Sequence, residues 1–175
     1  IFTCISKLYS DNFVGIADGG DILSFARVGL KSKYYLDSGV FGCLGIGIPY
    51  SIVAAEIHKD IPTICVIGDG SFGFNAMELD TAVRNKSNIC IIISNNAGWN
   101  IEIHDQKLNY GNRVYGTTLR HTNYAQMAEG LGAYGIRVTD PEDLEKSIYK
   151  AVKNTPSVVD VITSSTVLSS DAIKL

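Results

Sequence analysis

Two stretches of the chain end an apolar run in residues that could hold a charged ligand. One is Cys65-Val66-Ile67 followed by Gly68-Asp69-Gly70; the other is Ile89 to Ser94 followed by Asn95-Asn96. Glycines on both sides leave the backbone at Asp69 bare, so another group can approach it closely. In a right-handed β-α-β unit the carboxyl ends of successive parallel strands lie on one edge of the sheet, where open α/β sheets bind ligands. The chain between Asp69 and Asn96 is long enough for one helix, one turn and one strand, so the two side chains should converge. A carboxylate and an amide oxygen form a hard-oxygen site too poor in protein ligands to cage a cation alone. Mg²⁺ suits it, because that ion keeps about six oxygens near 2.0–2.1 Å and takes several from water and phosphates. A diphosphate would complete the set. Either stretch alone reads as an ordinary turn; their pairing at matching strand ends carries the signal.

Two further segments belong to the same reading. Asp18-Gly19-Gly20-Asp21 follows a short apolar run, and its paired glycines expose N–H groups ahead of a helix. Gly70 and Ser71 are expected to do the same ahead of a helix starting near Asn75. Gly42-Cys43-Leu44-Gly45-Ile46-Gly47 has the wrong glycine spacing for a dinucleotide fingerprint, and no G-x-G-x-x-G follows the first strand. On the residues alone, Leu44 reads as a core residue that starts a helix.

The elements that must position these groups follow from periodicity. Strand-length apolar runs occur at Phe13–Ala17, Thr63–Ile67, Ile89–Ser94, Gly135–Val138 and Val158–Thr163. Helical spacing predicts Asp21–Val28, Leu44–His58, Asn75–Asn85, Asn123–Leu131 and Pro141–Lys153, with Asn123 and Asp140 as caps for the last two. This alternation predicts an α/β fold: a doubly wound, mainly parallel sheet with helices on both faces. A long polar connection runs from about His104 to Thr122, read either as cover for the site or as an irregular excursion along the sheet's edge.

The 175 residues, 46% of them hydrophobic, suffice for one well-buried domain, here residues 1–175. A net charge of −3 without a Lys/Arg cluster points away from nucleic acid and from an anionic membrane surface, and toward a small molecule. No apolar run reaches spanning length, and the opening residues lack the basic flank of a signal peptide, so a cytoplasmic protein is expected. Cys4, Cys43, Cys65 and Cys90 are read as reduced core thiols. Ile1 stands in what looks like mid-helix, so a longer parent chain is expected. His58 is read as the end of a helix, where a cation suits the dipole; His104 and His121 flank the long connection without an assigned role.

With Gly68-Asp69-Gly70 and Asn95-Asn96 in these places, nearly the whole chain resembles the C-terminal cofactor-binding (PP-type) domain of thiamine-diphosphate enzymes of the acetolactate synthase and pyruvate decarboxylase superfamily. The resemblance implies thiamine diphosphate and Mg²⁺ as cofactors, with Asp69, Asn96 and the carbonyl of Gly98 as metal ligands. It implies a diphosphate loop at Asp18, Gly19, Gly20 and Asp21, where the backbone contributes more than the carboxylates, and further cofactor contacts from Gly68, Gly70, Ser71, Trp99 and Asn100. Gly42, Cys43 and Leu44 resemble the segment that holds the aminopyrimidine. Leu44 stands where acetolactate synthases carry Met and would wedge between the two rings of the cofactor. Glu102 occupies a place where the pyruvate decarboxylase branch carries a catalytic acid, although a carboxylate on a surface helix reads equally well from the residues.

By the same resemblance, a separate pyrimidine-binding domain or subunit supplies an activating glutamate, and the assembly is a homo-oligomer acting on a 2-oxoacid. The overall pattern, including Asp18-Gly19-Gly20-Asp21 and the run from Asn95 to Glu102, looks closest to acetolactate synthase-like proteins. The rivals within the superfamily are 2-hydroxyacyl-CoA lyase, oxalyl-CoA decarboxylase and the 2-oxoacid decarboxylases; the rival of another class is a catalytically silent binding or assembly module.

Overall fold

β-Branched residues crowd the segments from Thr63 to Ile67, Ile89 to Ile93 and Ser157 to Ile162. Such side chains favour extended backbone and, being apolar on both faces, require a covering layer on each side. In the computed structural model, which describes residues 1–169, helices supply both layers. The elements run α1 (Phe2–Tyr9), β1 (Val14–Asp18), α2 (Asp21–Gly29), β2 (Tyr34–Leu36), α3 (Gly47–Ile57), β3 (Thr63–Gly68), α4 (Asp69–Asn75), α5 (Glu78–Asn85), β4 (Ile89–Asn95), α6 (Asn100–Asn109), α7 (Tyr124–Gly130), β5 (Tyr134–Val138), α8 (Leu144–Lys153) and β6 (Ser157–Ile162). The six strands form one parallel sheet in the order β2-β1-β3-β4-β6-β5, the doubly wound arrangement that the alternation predicts.

Alternate strand residues divide between two cores. Ile16, Cys65, Ile67, Ile91 and Ile93 pack with Ile48, Phe72, Leu79 and Ala128 from α3, α4, α5 and α7. Ile64, Val66, Cys90, Ile92 and Val159 pack with Ile5, Leu23, Ala26 and Ile148 from α1, α2 and α8. Each fully buried Ile or Leu contributes roughly 1.5–3 kcal/mol of transfer free energy. The strand positions are thus fixed by the two cores, and the strand tips inherit that rigidity. Among the described residues no helix is long and apolar enough to cross a membrane.

Several expected boundaries move, each for a local reason. The helix expected from Leu44 starts at Gly47, because Gly45 has φ +87 and holds the preceding residues out of helical geometry. The helix expected over Asn75–Asn85 appears as α5 from Glu78, and a separate helix, α4, fills Asp69–Asn75, so Asp69, Gly70 and Ser71 lie inside the first turn of α4. Two glycines conceal this helix in the sequence. Gly70 is accommodated because the Trp99 ring packs where its side chain would be, 2.8 Å from an ideal β-carbon. The first third of the polar connection is helical: α6 takes it up, with Ile101, Ile103 and Leu108 at spacings that give no clean helical stripe. The edge strand β2 and the helix α1 join the expected set. Asn123 and Asp140 cap as expected, their side chains accepting from the N–H of Gln126 (3.0 Å) and of Glu142 (2.9 Å). Pro141–Asp143 forms a 3₁₀ turn ahead of α8. Cys65 and Cys90 are buried and Cys4 is half-buried, all unpaired as expected; Cys43, also unpaired, is exposed and lies outside the core.

Where α7 packs on β5, an ideal β-carbon on Gly135 would lie 2.1 Å from the carbonyl oxygen of Ala125. No side-chain rotation relieves a backbone clash, so Gly135→Ala should destabilise the fold by about 2 kcal/mol or more. Gly73→Ala in α4, where nothing lies within 4 Å, should be neutral or mildly stabilising. Urea midpoints of the two variants check this; equal midpoints would contradict the α7–β5 packing.

Candidate functional site

The site lies outside the carboxyl ends of β1, β3 and β4. From β1 the chain leaves toward β2 on one side of the sheet, and from β3 toward β4 on the other, so a crevice opens between the two tips. A cleft of about 320 Å³ occupies this place. Its lining includes Gly19, Gly20 and Asp21 after β1, Gly42 and Leu44 before α3, and Gly68, Asp69, Gly70 and Ser71 after β3. Asn96, Gly98, Trp99, Asn100 and Glu102 close it after β4. The expected residues that do not line it are Asp18 and Cys43.

Asp18 is 1% exposed and faces inward. Its two carboxylate oxygens accept hydrogen bonds from the N–H groups of Gly45 (3.3 Å) and Gly47 (2.8 Å). Burial raises its pKa, and the N–H groups of Gly47 and Gly45 with the Ser71 hydroxyl pull it back. Asp18 therefore ties the loop carrying Gly42 and Leu44 to the tip of β1, and its carboxylate does not line the cleft. Cys43, also expected at the site, is exposed on that loop and does not line the cleft. Asp21 does line the cleft, with its Oδ1 accepting from the backbone N–H of Ser169 at 2.8 Å.

Asp69 and Asn96 reach the same cleft from adjacent strands, β3 and β4. Asp69 is 2% exposed; its Oδ1 accepts from the Gly70 N–H at 3.0 Å. The N–H groups of Ala97 and Gly98 also lean toward this carboxyl. They do not reach hydrogen-bond geometry with Oδ2, which is buried without a partner. Asn96 Oδ1 is in the same condition. Two buried, unpartnered oxygens in one cleft are costly unless something binds them. Desolvation dominates and pushes the Asp69 pKa up to about 6, against the N–H groups around it.

The remainder of the long connection folds back onto this loop. Ala97 adopts a left-handed conformation (φ 59), turning Gly98 into an isolated antiparallel bridge with Thr118. Trp99 N–H donates to the Thr117 carbonyl (2.9 Å) and Leu119 N–H to the Ala97 carbonyl (2.8 Å). That pattern leaves the N–H and C=O of Gly98 facing away from the 117–119 segment, on the Asp69 side. Gln106 of α6 holds the segment down through the N–H and C=O of Tyr115 and the hydroxyl of Thr117. The connection thus packs against the Ala97–Trp99 turn, while none of its residues lines the cleft.

The donor set fits a small hard cation: one carboxylate oxygen from Asp69, one amide oxygen from Asn96, and the Gly98 carbonyl on the same side. Among the described residues no three His, Cys, Asp or Glu side chains gather into a metal cluster, so such an ion would draw further ligands from a bound anion or water. The first turn of α2, behind Gly19 (φ +134) and Gly20, presents main-chain N–H groups to that anion. Leu44 is half-buried at the cleft wall, and Glu102 is exposed at the rim in the first turn of α6. Sequence reasoning missed Ile22, Ser24, Arg27, Ser94 and Ile101, all on the lining. Ser94 was within reach, being one residue before the Asn pair. Arg27 was not, since only the path of α2 brings it there, with its Nε 2.9 Å from Asp37.

Comparison with known proteins agrees with this geometry. Residues 20–161 match the family described as thiamine pyrophosphate enzyme, C-terminal TPP binding domain. A probable acetolactate synthase of Mycobacterium bovis is 32% identical over 171 residues, covering 95% of this chain and 31% of that protein. The 2-hydroxyacyl-CoA lyase 2 of Bos taurus is 31% identical over 157 residues, covering 88% of this chain and 24% of its own. Human 2-hydroxyacyl-CoA lyase 1 is 30% identical over 173 residues, covering 89% of this chain and 30% of its own. The chain thus spans less than a third of the length of these relatives.

Because the Asp69 pKa is raised to about 6 from an ordinary 3.8, its protonated form stabilises the ligand-free fold below about pH 4 and that contribution is lost as pH rises through 6. At pH 7.5 without divalent ions, Asp69→Asn should therefore be more stable than the parent by about 1–3 kcal/mol. The gap should close by pH 4.5. Paired urea titrations in EDTA measure it; a gap independent of pH would contradict the burial of this charge.

Proposed function

The chain belongs to the thiamine pyrophosphate enzymes, as their C-terminal TPP binding domain, and from that premise we propose that it binds thiamine diphosphate with Mg²⁺ inside an acetolactate synthase-like enzyme acting on 2-oxoacids. One observation carries the reading: Asp69 and Asn96, each with a buried oxygen that has no partner, line a single cleft at the tips of adjacent strands. Asp69, Asn96 and the Gly98 carbonyl would hold Mg²⁺, which in turn grips the diphosphate. The backbone at Gly19, Gly20 and the first turn of α2 would take the remaining phosphate oxygens.

Gly42 and Leu44 would orient the aminopyrimidine and thiazolium rings, with Asp18 fixing their loop from beneath. When bound, the cofactor supplies carbanion chemistry next to a carbonyl, by which two 2-oxoacids join with loss of carbon dioxide. The protein's part is placement, worth more than any single contact. Trp99 forms a wall beside Gly70, and Glu102 at the rim is placed to move a proton on the substrate side. Oxygens buried in this way would hold a cation without reorganising, which favours charge stabilisation in a partly closed cleft.

A second copy or a further domain would complete the site and supply the activating glutamate. Support for such cover comes from Val40 and Phe41, 99% and 87% exposed, beside Gly42 at the cleft. The outer face of α3 adds Tyr50, Val53 and Ile57 to the apolar surface. A 2-hydroxyacyl-CoA lyase is the second reading, favoured by identities to those relatives nearly equal to that of the acetolactate synthase.

Titration of the full protein carrying this domain with thiamine diphosphate and Mg²⁺ tests the cofactor. Saturable binding should be abolished by Asp69→Ala and unaffected by Asp143→Ala on the far 3₁₀ turn. Absence of saturable binding in the parent would leave a silent module. Product analysis with pyruvate then separates the reactions: acetolactate supports the synthase, acetaldehyde a decarboxylase, and neither product the lyase reading.

A further inference from the structure

Behind the cleft lies a buried polar network that the cofactor reading does not use. Asp160 on β6 is completely buried. Its Oδ1 accepts from the Asn95 side-chain amide at 2.8 Å, and its Oδ2 accepts from the Tyr124 N–H at 3.1 Å. The Arg137 guanidinium on β5 lies 3.2 Å from the same Oδ2. Arg137 also donates to the carbonyls of Thr122 (3.1 Å) and His121 (3.4 Å). Asn95 in turn donates to the Thr122 carbonyl at 3.0 Å, and its Oδ1 is 3.3 Å from His121 Nδ1.

One ion pair thus grips two things at once. It holds Asn95, the residue immediately before Asn96, and it holds residues 121–124. The chain just upstream of that segment, 117–119, carries the two backbone hydrogen bonds that bracket Gly98. Asn96 to Gly98 is therefore fastened at both ends to structure that converges on Asp160. A buried ion pair is a poor source of stability compared with apolar packing of the same volume, but it fixes one arrangement where apolar groups would accept several.

We propose that Asp160, with Arg137, is a positioning residue for the cation loop: it sets where the Asn96 oxygen and the Gly98 carbonyl point. The proposal rests on the reading that this loop receives a divalent cation. Groups that orient metal ligands from behind are worth about 10–100-fold in metal affinity.

The test uses the full protein carrying this domain, with Mn²⁺ as probe in the presence of thiamine diphosphate. Bound Mn²⁺ is followed by electron paramagnetic resonance, and the metal-free melting temperature is measured beside it. Asp160→Asn and Arg137→Gln should each raise the half-saturating Mn²⁺ concentration about tenfold or more, and Arg137→Lys should recover most of the loss. If Asp160→Asn fails to fold, Arg137→Gln decides, because that side chain is 26% exposed on an edge strand. Half-saturation within twofold of the parent, with only the metal-free melting temperature lowered, would overturn the proposal and leave the network a support of the fold. If the parent itself shows no saturable Mn²⁺ binding that Asp69→Ala removes, the cation reading fails instead, and this inference with it.

Discussion

Everything about this site turns on two oxygen atoms withheld from solvent and from the protein. Asp69 Oδ2 and Asn96 Oδ1 are buried without hydrogen-bond partners at the tips of neighbouring strands. A fold does not hold such atoms freely, since each unpaired buried polar group costs about 1–3 kcal/mol. The two cores on either side of the sheet are what impose this condition. They fix β3 and β4 so firmly that the tips cannot relax to let the oxygens find other donors. A cation gripping a diphosphate, as proposed above, would satisfy both oxygens at once, so relief of these unpaired groups would contribute to its binding and the bound ligand would stabilise the fold.

Around that point, polar residues fall into an outer and an inner set. The outer set faces the cleft: Asp69, Asn96, Asp21 and Glu102. The inner set holds loops in place. Asp18 binds the N–H groups that shape the Gly42–Leu44 loop, while Asp160 and Asn95 anchor the segment that brackets Gly98. Neighbouring residues divide between the sets, Asn95 inward and Asn96 outward, because successive side chains at a strand tip point to opposite sides. Burial raises the pKa of Asp18 and Asp69 alike, but both oxygens of Asp18 have N–H partners and Asp160 has Arg137, whereas one oxygen of Asp69 has no partner. The contrast separates scaffold from site on physical grounds.

Much of the fold was readable from pattern. The long apolar strands and the capped helices at Asn123 and Pro141 appear where periodicity puts them, because hydrophobic burial decides both period and position. Elements whose cause is non-local were not readable. Gly70 disguises α4, and only the Trp99 ring, brought from a later loop, explains why glycine suits that turn. Strand β2 is three exposed residues whose extended form depends on pairing with β1. The 117–119 segment takes its shape from Gln106 and the Ala97–Trp99 backbone, partners that no local spacing announces.

What the sequence determined by itself was the chemistry on offer: a Gly-flanked carboxylate and an asparagine pair at the ends of two apolar runs, separated by a helical stretch, so that a parallel sheet must bring them to one edge. What only the tertiary structure decided was which of these groups keep an unpaired oxygen at the cleft. Asp18 and Asp69 both end strands beside glycines, yet one carboxyl is consumed by the N–H groups of Gly45 and Gly47 while the other keeps an oxygen unpaired. That difference depends on where the α3 loop and the 97–99 turn come to rest against the sheet, and such long-range docking of backbone donors leaves no trace in residue type or spacing.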